Sequence, residues 1–169
     1  MSDTHPIVRA AVVDDLIAIN DIYNWYVTRS TCTYQEDLEP IESRRRWFDA
    51  HQSNARHPVT VALLDTEIVG WGSLSGYRER SAYRFTCENS VYVRHDLHGH
   101  GIGSALLADL IERAKSLDYR SIIAGIDGEQ KASIALHAKF GFVDCGRQAK
   151  VGYKFDRWLD VIFMQKTLR

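Results

Sequence analysis

The chain has 169 residues, of which 45% are hydrophobic and 25% charged, so we expect a single globular domain over residues 1–169 with a sizeable core. A formal net charge of -1 is not the strongly basic balance of a nucleic-acid-binding protein, so we expect no nucleic acid partner. The sequence shows no signal-peptide pattern and no apolar run long enough to span a bilayer, so we expect a cytoplasmic protein with no membrane partner.

The first third of the chain predicts one strand and two helices. Residues 7–11 are typical of a short strand, after which Asp14 or Asp15 can cap a helix. The apolar positions of that helix recur at helical spacing: Leu16, Ile19, Ile22, Tyr23 and Tyr26. Pro40 suits the first turn of a second helix over residues 41–50, in which we expect residues 44–46 (RRR) to form a solvated face.

The rest of the chain alternates between strands and helices. Residues 59–64 and 68–75 predict a hairpin, residues 88–93 a further strand, and residues 121–126 a buried strand. One long apolar stripe predicts an amphipathic helix, with Ile102, Leu106, Leu107, Leu110, Ile111, Ala114 and Leu117. A helix over residues 132–140 ends before Gly141, and two more strands follow over 143–151 and 158–168. This order predicts a mixed α/β layer fold.

The three cysteines are widely spaced, and no two of them form a CxxC pair. This argues against a disulfide framework and against a zinc site. We expect Cys32, Cys87 and Cys145 each to be a small buried apolar residue, in a reducing compartment.

The stretch "HGHGIG" lies between the strand over 88–93 and the long helix. Its glycines allow several N–H groups to point at one anion near the positive end of the helix dipole. The alternative is that they only make a tight turn. The dinucleotide fingerprint lacks its third glycine here, and no GK[ST] tripeptide occurs. A metal site at His95, His98 and His100 has no nearby cysteine to complete it, so we expect no metal.

Taken together, "SVYV", "HGHGIG", "SALLADLIERA", "IIAGI" and "ASIALHAKFGF" resemble the acetyl-CoA core of the GNAT superfamily of N-acetyltransferases. The stretches "TCENSVYV" and "VGYKFDRWLDVIFMQKTL" resemble its phosphinothricin and methionine sulfoximine (sulfone) subfamily. The resemblance covers nearly the whole chain. It implies an α/β (α+β) GNAT fold, in which about four helices flank a mixed, mostly antiparallel sheet of about seven strands. It also implies a homodimer.

The resemblance implies acetyl-CoA as the cosubstrate and assigns it a set of binding residues. These are Val91, Tyr92, Val93, His98, Gly99, His100, Gly101, Ile102, Gly103, Ser104, Gln130 and Ser133. The chain departs from the family pattern twice. His98 stands where the pattern has glutamine or arginine, and Gln130 stands where the subfamily usually has asparagine. Both departures are expected to weaken coenzyme affinity without removing the site.

Two residues are candidates for the chemistry. Glu88, in the subfamily context "TCENSVYV", is expected to be the general base that deprotonates the amine, with a pKa raised by partial burial. His137 occupies the position of the superfamily tyrosine that protonates the departing thiolate. A histidine there can protonate the thiolate or hydrogen-bond the sulfur, and it can equally be a packed residue on a helix face.

The acceptor is expected to be a small amino-acid-like amine that carries oxyanions. By resemblance, its pocket is lined by Arg78, Glu79, Arg80, Glu88, Asn89 and Ser90. Arginines can fork onto a carboxylate or a phosphinate oxygen, and Arg84 is a further candidate. The alternatives are a GNAT enzyme that acetylates a polyamine, an aminoglycoside or a protein N-terminus, and a non-catalytic acyl-CoA-binding module.

Overall fold

In this computed structural model, which describes residues 5–168, one seven-stranded sheet organises the chain. Its strands are β1 (Ile7–Ala10), β2 (Val59–Leu64), β3 (Glu67–Gly76), β4 (Thr86–Val93), β5 (Ser121–Asp127), β6 (Val143–Lys154) and β7 (Arg157–Thr167). Across the sheet they lie in the order β1-β2-β3-β4-β5-β7-β6, and only β4 and β5 pair in parallel within residues 5–168. The prediction of a mostly antiparallel sheet of about seven strands is confirmed.

Four α-helices cover the two faces of this sheet, which confirms their predicted number. They are α1 (Leu16–Arg29), α2 (Ile41–Gln52), α3 (Ile102–Ser116) and α4 (Lys131–Lys139). On one face, α1 and α2 pack through Ile19, Ile22 and Phe48 against Val61 and Trp71. On the other face, the apolar stripe of α3 packs against the odd-numbered face of β4 and the even-numbered face of β5. No helix of residues 5–168 is long and apolar enough to cross a membrane.

Local interactions of named residues set two of the helix ends. The buried Asp15 carboxylate accepts the Val12 N–H at 2.8 Å and pairs with Arg9 at 2.6 Å, and α1 begins at the next residue. At the end of α4, Gly141 takes a φ of +81°, and the N–H of Phe142 reaches back to the carbonyl of His137 at 3.1 Å. Gly141 therefore ends α4 as its position in the sequence predicts.

Three sequence-based expectations are wrong in detail. Arg44 is not on a solvated face: it is 5% exposed, and its guanidinium lies 4.5 Å from the ring centroid of Tyr23 and 4.8 Å from that of Trp47. The guanidinium also lies 5.5 Å from the ring centroid of Trp71, so cation–π contacts with rings of α1, α2 and β3 surround it, while Arg45 and Arg46 are exposed. Pro40 is the residue before α2 rather than part of its first turn. Of the cysteines, Cys87 is buried, Cys32 is half-buried and Cys145 is exposed on β6.

Candidate active site

The central feature of the sheet is a gap between β4 and β5. Their pairing covers only Thr86↔Ser121, Cys87↔Ile122 and Glu88↔Ile123, although β4 continues to Val93 and β5 to Asp127. The N–H of Arg94 donates to Val69 of β3 at 2.8 Å. Because backbone groups alternate sides along a strand, Val91 and Val93 point their N–H and C=O groups into the gap. A cavity of about 530 Å³ lies along it.

The glycine-rich stretch closes one end of this cavity. Gly99 and Gly101 have φ values of +83° and +78°, in the left-handed region that favours glycine. The first helical hydrogen bond of α3 runs from Ala105 to Gly101 at 3.0 Å, so the N–H groups of residues 102–104 have no partner inside the helix. They lie at the positive end of the helix dipole. This end of the cavity is therefore suited to a phosphate.

Gly103 has a different role from its neighbours. A Cβ built on it would lie 3.2 Å from Cδ2 of Leu136 on α4 and 3.6 Å from Cγ2 of Val93, whereas one built on Gly99 or Gly101 meets nothing within 4 Å. The small size of Gly103 thus lets α3 approach α4 and β4. The stretch combines two glycines that shape a turn with one that permits close packing.

The histidines beside these glycines do not gather round a metal. No group of three His, Cys, Asp or Glu side chains that could hold a metal forms within residues 5–168. His95 stacks on Trp25 with ring centroids 4.0 Å apart. His98 Nε2 lies 2.6 Å from the Tyr26 hydroxyl, which itself donates to Val93 O at 2.5 Å. Since that hydroxyl has one hydrogen, His98 donates to Tyr26, and so the loop is tied to α1.

The opposite wall of the cavity is held by a buried carboxylate that the sequence analysis did not select. Asp127, at the end of β5, accepts hydrogen bonds from the hydroxyls of Thr31 at 2.9 Å and Tyr34 at 2.8 Å. Gln130 donates to the Thr31 hydroxyl at 3.1 Å. The connection between α1 and α2 is thus fastened to the carboxyl end of β5. A lone acidic residue directly after a buried strand was the signal that could have found Asp127.

His137 forms a polarised hydrogen-bond chain at the floor of the cavity. It is 4% exposed, and burial lowers its pKa, so the ring is neutral near pH 7. Its Nδ1 lies 2.8 Å from the carbonyl of Ser133, which can only accept, so Nδ1 carries the hydrogen. Nε2 then accepts from the Asn89 amide nitrogen at 2.9 Å. In this arrangement His137 holds Asn89, and its role toward a departing thiolate stays a prediction.

Glu88 lies where β4 and β5 are still paired. It is half-buried, and burial raises the pKa of its carboxyl while the nearby Arg78 opposes the shift. A raised pKa is the property expected of a carboxylate that takes a proton near neutral pH. Glu88 lines neither the cavity between the strands nor the second cavity, although Ser90 lines the first and Thr86 the second.

That second cavity, of about 550 Å³, lies near the start of β4. Its charged lining consists of the arginines Arg56, Arg78, Arg80 and Arg84 together with Glu79. None of these arginines forms an ion pair with another residue in the described part of the chain. The cavity therefore carries an excess of positive charge suited to oxyanions.

The structure brings most of the predicted coenzyme residues together and divides the predicted acceptor residues. All the predicted coenzyme residues except His100 line the first cavity. Of the predicted acceptor residues, Asn89 and Ser90 line the first cavity, and Arg78, Glu79 and Arg80 line the second. Glu88 lies on the strand between the two groups. Tyr26 also lines the first cavity, but its helical spacing had marked it only as a core residue.

Comparison with known proteins gives consistent matches. The model of the acetyltransferase (GNAT) family matches residues 19–142. The chain is 41% identical to a phosphinothricin N-acetyltransferase of Alcaligenes faecalis, over 95% of this chain and 82% of the relative. It is 40% identical to an L-methionine sulfoximine/L-methionine sulfone acetyltransferase of Pseudomonas paraeruginosa, over 95% and 94%.

A solved structure shares the whole architecture. It is that of a GNAT superfamily phosphinothricin acetyltransferase from Sinorhizobium meliloti in complex with acetyl-CoA. It superposes with a TM-score of 0.93 at 37% identity, over 96% of this chain and 88% of that one.

Proposed function

Because the chain belongs to the acetyltransferase (GNAT) family and is an acetyl-CoA-dependent N-acetyltransferase of the phosphinothricin-acetyltransferase type, we propose that it acetylates the α-amino group of a small amino-acid-like acceptor. The observation that carries this proposal is the pair of cavities on either side of Glu88. One presents strand edges and helix N–H groups, and the other presents arginines that form no ion pair within residues 5–168. A chain coenzyme with phosphates suits the first, and a small oxyanion suits the second.

The residues of the first cavity fit the coenzyme, which supplies an acetyl group activated as a thioester. Val91 offers its backbone N–H and C=O, and Val93 its N–H, to the amides of a pantetheine arm, as an added strand would pair, while the carbonyl of Val93 accepts from Tyr26. The N–H groups of residues 102–104 and the glycine turn offer donors to a pyrophosphate. The Nε2 of His98 is engaged with the Tyr26 hydroxyl, which supports backbone amides as the main phosphate ligands.

Glu88 takes the proton that the acceptor ammonium must lose before its nitrogen can attack. Acetyl transfer then proceeds directly within a ternary complex. The cysteine in the coenzyme cavity supports this route, because burial raises the pKa of the Cys32 thiol to about 11 and leaves it a poor nucleophile near pH 7. For the departing thiolate, His137 is the candidate proton donor or hydrogen-bond partner, and in either role it must give up one of its present contacts, because its single ring hydrogen is donated to the carbonyl of Ser133 and its Nε2 accepts from Asn89.

Arg78 and Arg80 bind the acceptor through its oxyanions. Phosphinothricin and methionine sulfoximine, after which the two relatives are named, both carry a carboxylate and oxygens on phosphorus or sulfur. Guanidinium groups form forked hydrogen bonds with such oxygens. Asn89 and Ser90 continue this lining towards the first cavity.

The exposed edge of the sheet supports a homodimer. β6 is the last strand at this edge of the sheet. Five apolar side chains on β6, on the turn after it and on β7 are each at least 48% exposed: Val143, Val151, Tyr153, Phe155 and Trp158. Apolar side chains clustered on a strand edge favour pairing with another copy. The three free cysteines are consistent with the reducing cytoplasm.

The acceptor is tested by measuring release of free CoA from acetyl-CoA with a panel of amines. We expect turnover with phosphinothricin, methionine sulfoximine or methionine sulfone, and little with polyamines, aminoglycosides or peptides. Turnover confined to one of the latter would identify another amine as the acceptor. Tight coenzyme binding without turnover on any amine would instead indicate a non-catalytic acyl-CoA-binding module.

The base is tested with Glu88→Gln, which keeps the size of the side chain but cannot take a proton. We expect kcat to fall by about a hundredfold or more at neutral pH, a typical general-base effect. The matched control is Glu112→Gln, on the exposed surface of α3. A kcat for Glu88→Gln equal to that of the control across a pH series would remove Glu88 from this role.

A further inference from the structure

A buried histidine of α2 contacts the residue of β3 that stands opposite Glu88 on β4. His51, on α2, is 9% exposed, and burial lowers its pKa, so its ring is neutral near pH 7. Its Nδ1 lies 2.9 Å from the carbonyl oxygen of Trp47, and its Nε2 lies 3.0 Å from the hydroxyl of Ser75. A carbonyl oxygen can only accept, so the hydrogen of the neutral ring is on Nδ1. Nε2 is therefore an acceptor, and the Ser75 hydroxyl donates to it.

Ser75 stands directly opposite Glu88 in the antiparallel pairing of β3 with β4. Opposed residues share a face of the sheet, with Cβ atoms about 4.5–5.5 Å apart. Since the hydrogen of Ser75 points to His51, only the lone pairs of its oxygen remain for Glu88. The Glu88 carboxyl in fact receives no hydrogen bond from any residue in the range 5–168.

We propose that His51 is a positioning residue for the acetyl transfer: by holding the Ser75 hydroxyl turned away, it denies the Glu88 carboxylate a donor and keeps it a strong enough base. A donor beside a carboxylate stabilises the charged form and weakens the base, whereas lone pairs beside it favour the protonated form. The inference rests on the proposed role of Glu88 as the general base. The contact between His51 and Ser75 is then a second cause of the basicity of Glu88, in addition to burial.

The other groups that face Glu88 do not supply this effect. Arg78, on the connection before β4, stabilises the carboxylate and so acts in the opposite direction. Cys87, next to Glu88 on β4, points to the other face, where burial makes its thiol a weaker acid. His57, after α2, lies with its ring centroid 5.9 Å from that of His51, and its Nε2 faces Asn54 at 3.5 Å. From β5, the residue in register with Glu88 is the uncharged Ile123.

The test compares the pH dependence of kcat/KM in variants at the two positions. His51→Asn keeps an amide nitrogen in place of Nδ1 and removes the acceptor for Ser75, which frees the hydroxyl to donate to Glu88. We expect the acid limb of the profile, where kcat/KM falls because Glu88 becomes protonated, to move to lower pH. If the limb moves down by one pH unit, kcat/KM at a fixed pH on that limb rises by about tenfold. His51→Gln places an amide oxygen near the position of Nε2, so it should restore the limb towards that of the wild-type protein.

The double variant separates this role from a merely structural one. In a Ser75→Ala background there is no hydroxyl to release, so His51→Asn should move the acid limb no further. His57→Gln serves as the matched control, because it removes the neighbouring imidazole and leaves the Ser75 contact in place. An acid limb that stays at the wild-type pH in His51→Asn overturns the inference, and so does an equal shift in both backgrounds.

One measurement needs no variant, so it tests the inference even if His51→Asn fails to fold. The ¹⁵N shifts of the imidazole distinguish the two neutral tautomers, and we expect His51 to carry its hydrogen on Nδ1. Observation of the Nε2–H tautomer in the wild-type protein overturns the inference. Full activity of Glu88→Gln would instead overturn the proposed base, which keeps the two failures apart.

Discussion

At the scale of single residues, Glu88 lies under two opposing influences, burial and Arg78. Arg78 is fully exposed and stacks on Tyr77 and Tyr83, and its positive charge favours the ionised carboxylate. Replacing it by glutamine removes the influence that lowers the pKa. For Arg78→Gln we therefore expect the acid limb of kcat/KM to move to higher pH and the KM for the acceptor to rise. Both are measured from initial rates over a pH series.

Arg84 offers the control for that prediction. Like Arg78, it is an exposed arginine that lines the second cavity, and its guanidinium lies 4.5 Å from the centroid of the Phe85 ring. It is not among the charges that shift the pKa of Glu88. The limb for Arg84→Gln should therefore stay at the wild-type pH, and a shift equal to that of Arg78→Gln would show a general effect of the cavity charge.

The sequence predicts residue types for the site better than it predicts their partners. The glycine turn and Glu88 could be selected because local motifs mark them. Tyr26 and His51 could not, because their contacts join segments far apart in the chain: Tyr26 bonds to Val93 and His98, and His51 to Ser75. Arg44 was misjudged for the same reason, since two of the rings that surround it, Tyr23 and Trp71, belong to other elements.

At the scale of elements, a buried lysine fastens the last hairpin to the first two helices. Lys154, at the end of β6, is 2% exposed, and its Nζ donates to the carbonyls of Ser30 and Thr33, each at 2.8 Å. These carbonyls belong to the connection that also bears Cys32 in the cavity wall. Methionine at position 154 would leave both without a donor. We expect Lys154→Met to lower the free energy of unfolding by about 1–3 kcal/mol and to raise the KM for acetyl-CoA.

Lys166 is the matched control for Lys154. It lies on β7 and donates from Nζ to the carbonyl of Phe140 at 2.8 Å. Denaturant unfolding of Lys166→Met should show a smaller loss of stability, because only one carbonyl loses its donor, and its KM for acetyl-CoA should stay close to that of the wild-type protein. If both variants raise the KM alike, the connection has no special link to the cavity.

The elements themselves follow closely from periodicity and turn residues. The predicted strands, helices and hairpin lie within a few residues of those observed, because hydrophobic spacing and glycine positions are local signals. The arrangement of the last two strands is not a local property. β7 inserts between β5 and β6, which no spacing within the strands indicates. The gap between β4 and β5 is likewise a property of the pairing between strands, which no local signal in the sequence indicates.

At the scale of the whole molecule, the exposed edge of the sheet predicts the oligomeric state. Val151, on β6, is 53% exposed, and a carboxylate there would have to be buried unpaired in an interface between two copies. We expect the wild-type protein to sediment as a dimer and Val151→Asp to shift it towards the monomer. Analytical ultracentrifugation over a range of concentrations measures both.

Ile17 provides the control for the dimer. It is 67% exposed on α1 and lies outside the exposed apolar set of β6, the turn after it and β7, so Ile17→Asp should sediment as the wild-type protein does. A dimer that withstands Val151→Asp would place the dimer contact elsewhere. A monomeric wild-type protein would show that this edge forms no dimer contact.

The gap between β4 and β5 also makes the molecule thermodynamically dependent on what fills it. In the described part of the chain, only three register pairs join the four strands on one side to the three on the other. A chain-like ligand that pairs with both edges adds rungs to the sheet, so it stabilises the folded state by mass action. At a hundred times its dissociation constant such a ligand contributes about 2.7 kcal/mol, a large share of the stability of an average domain. The lifetime of the protein in a cell would then rise and fall with the supply of coenzyme A.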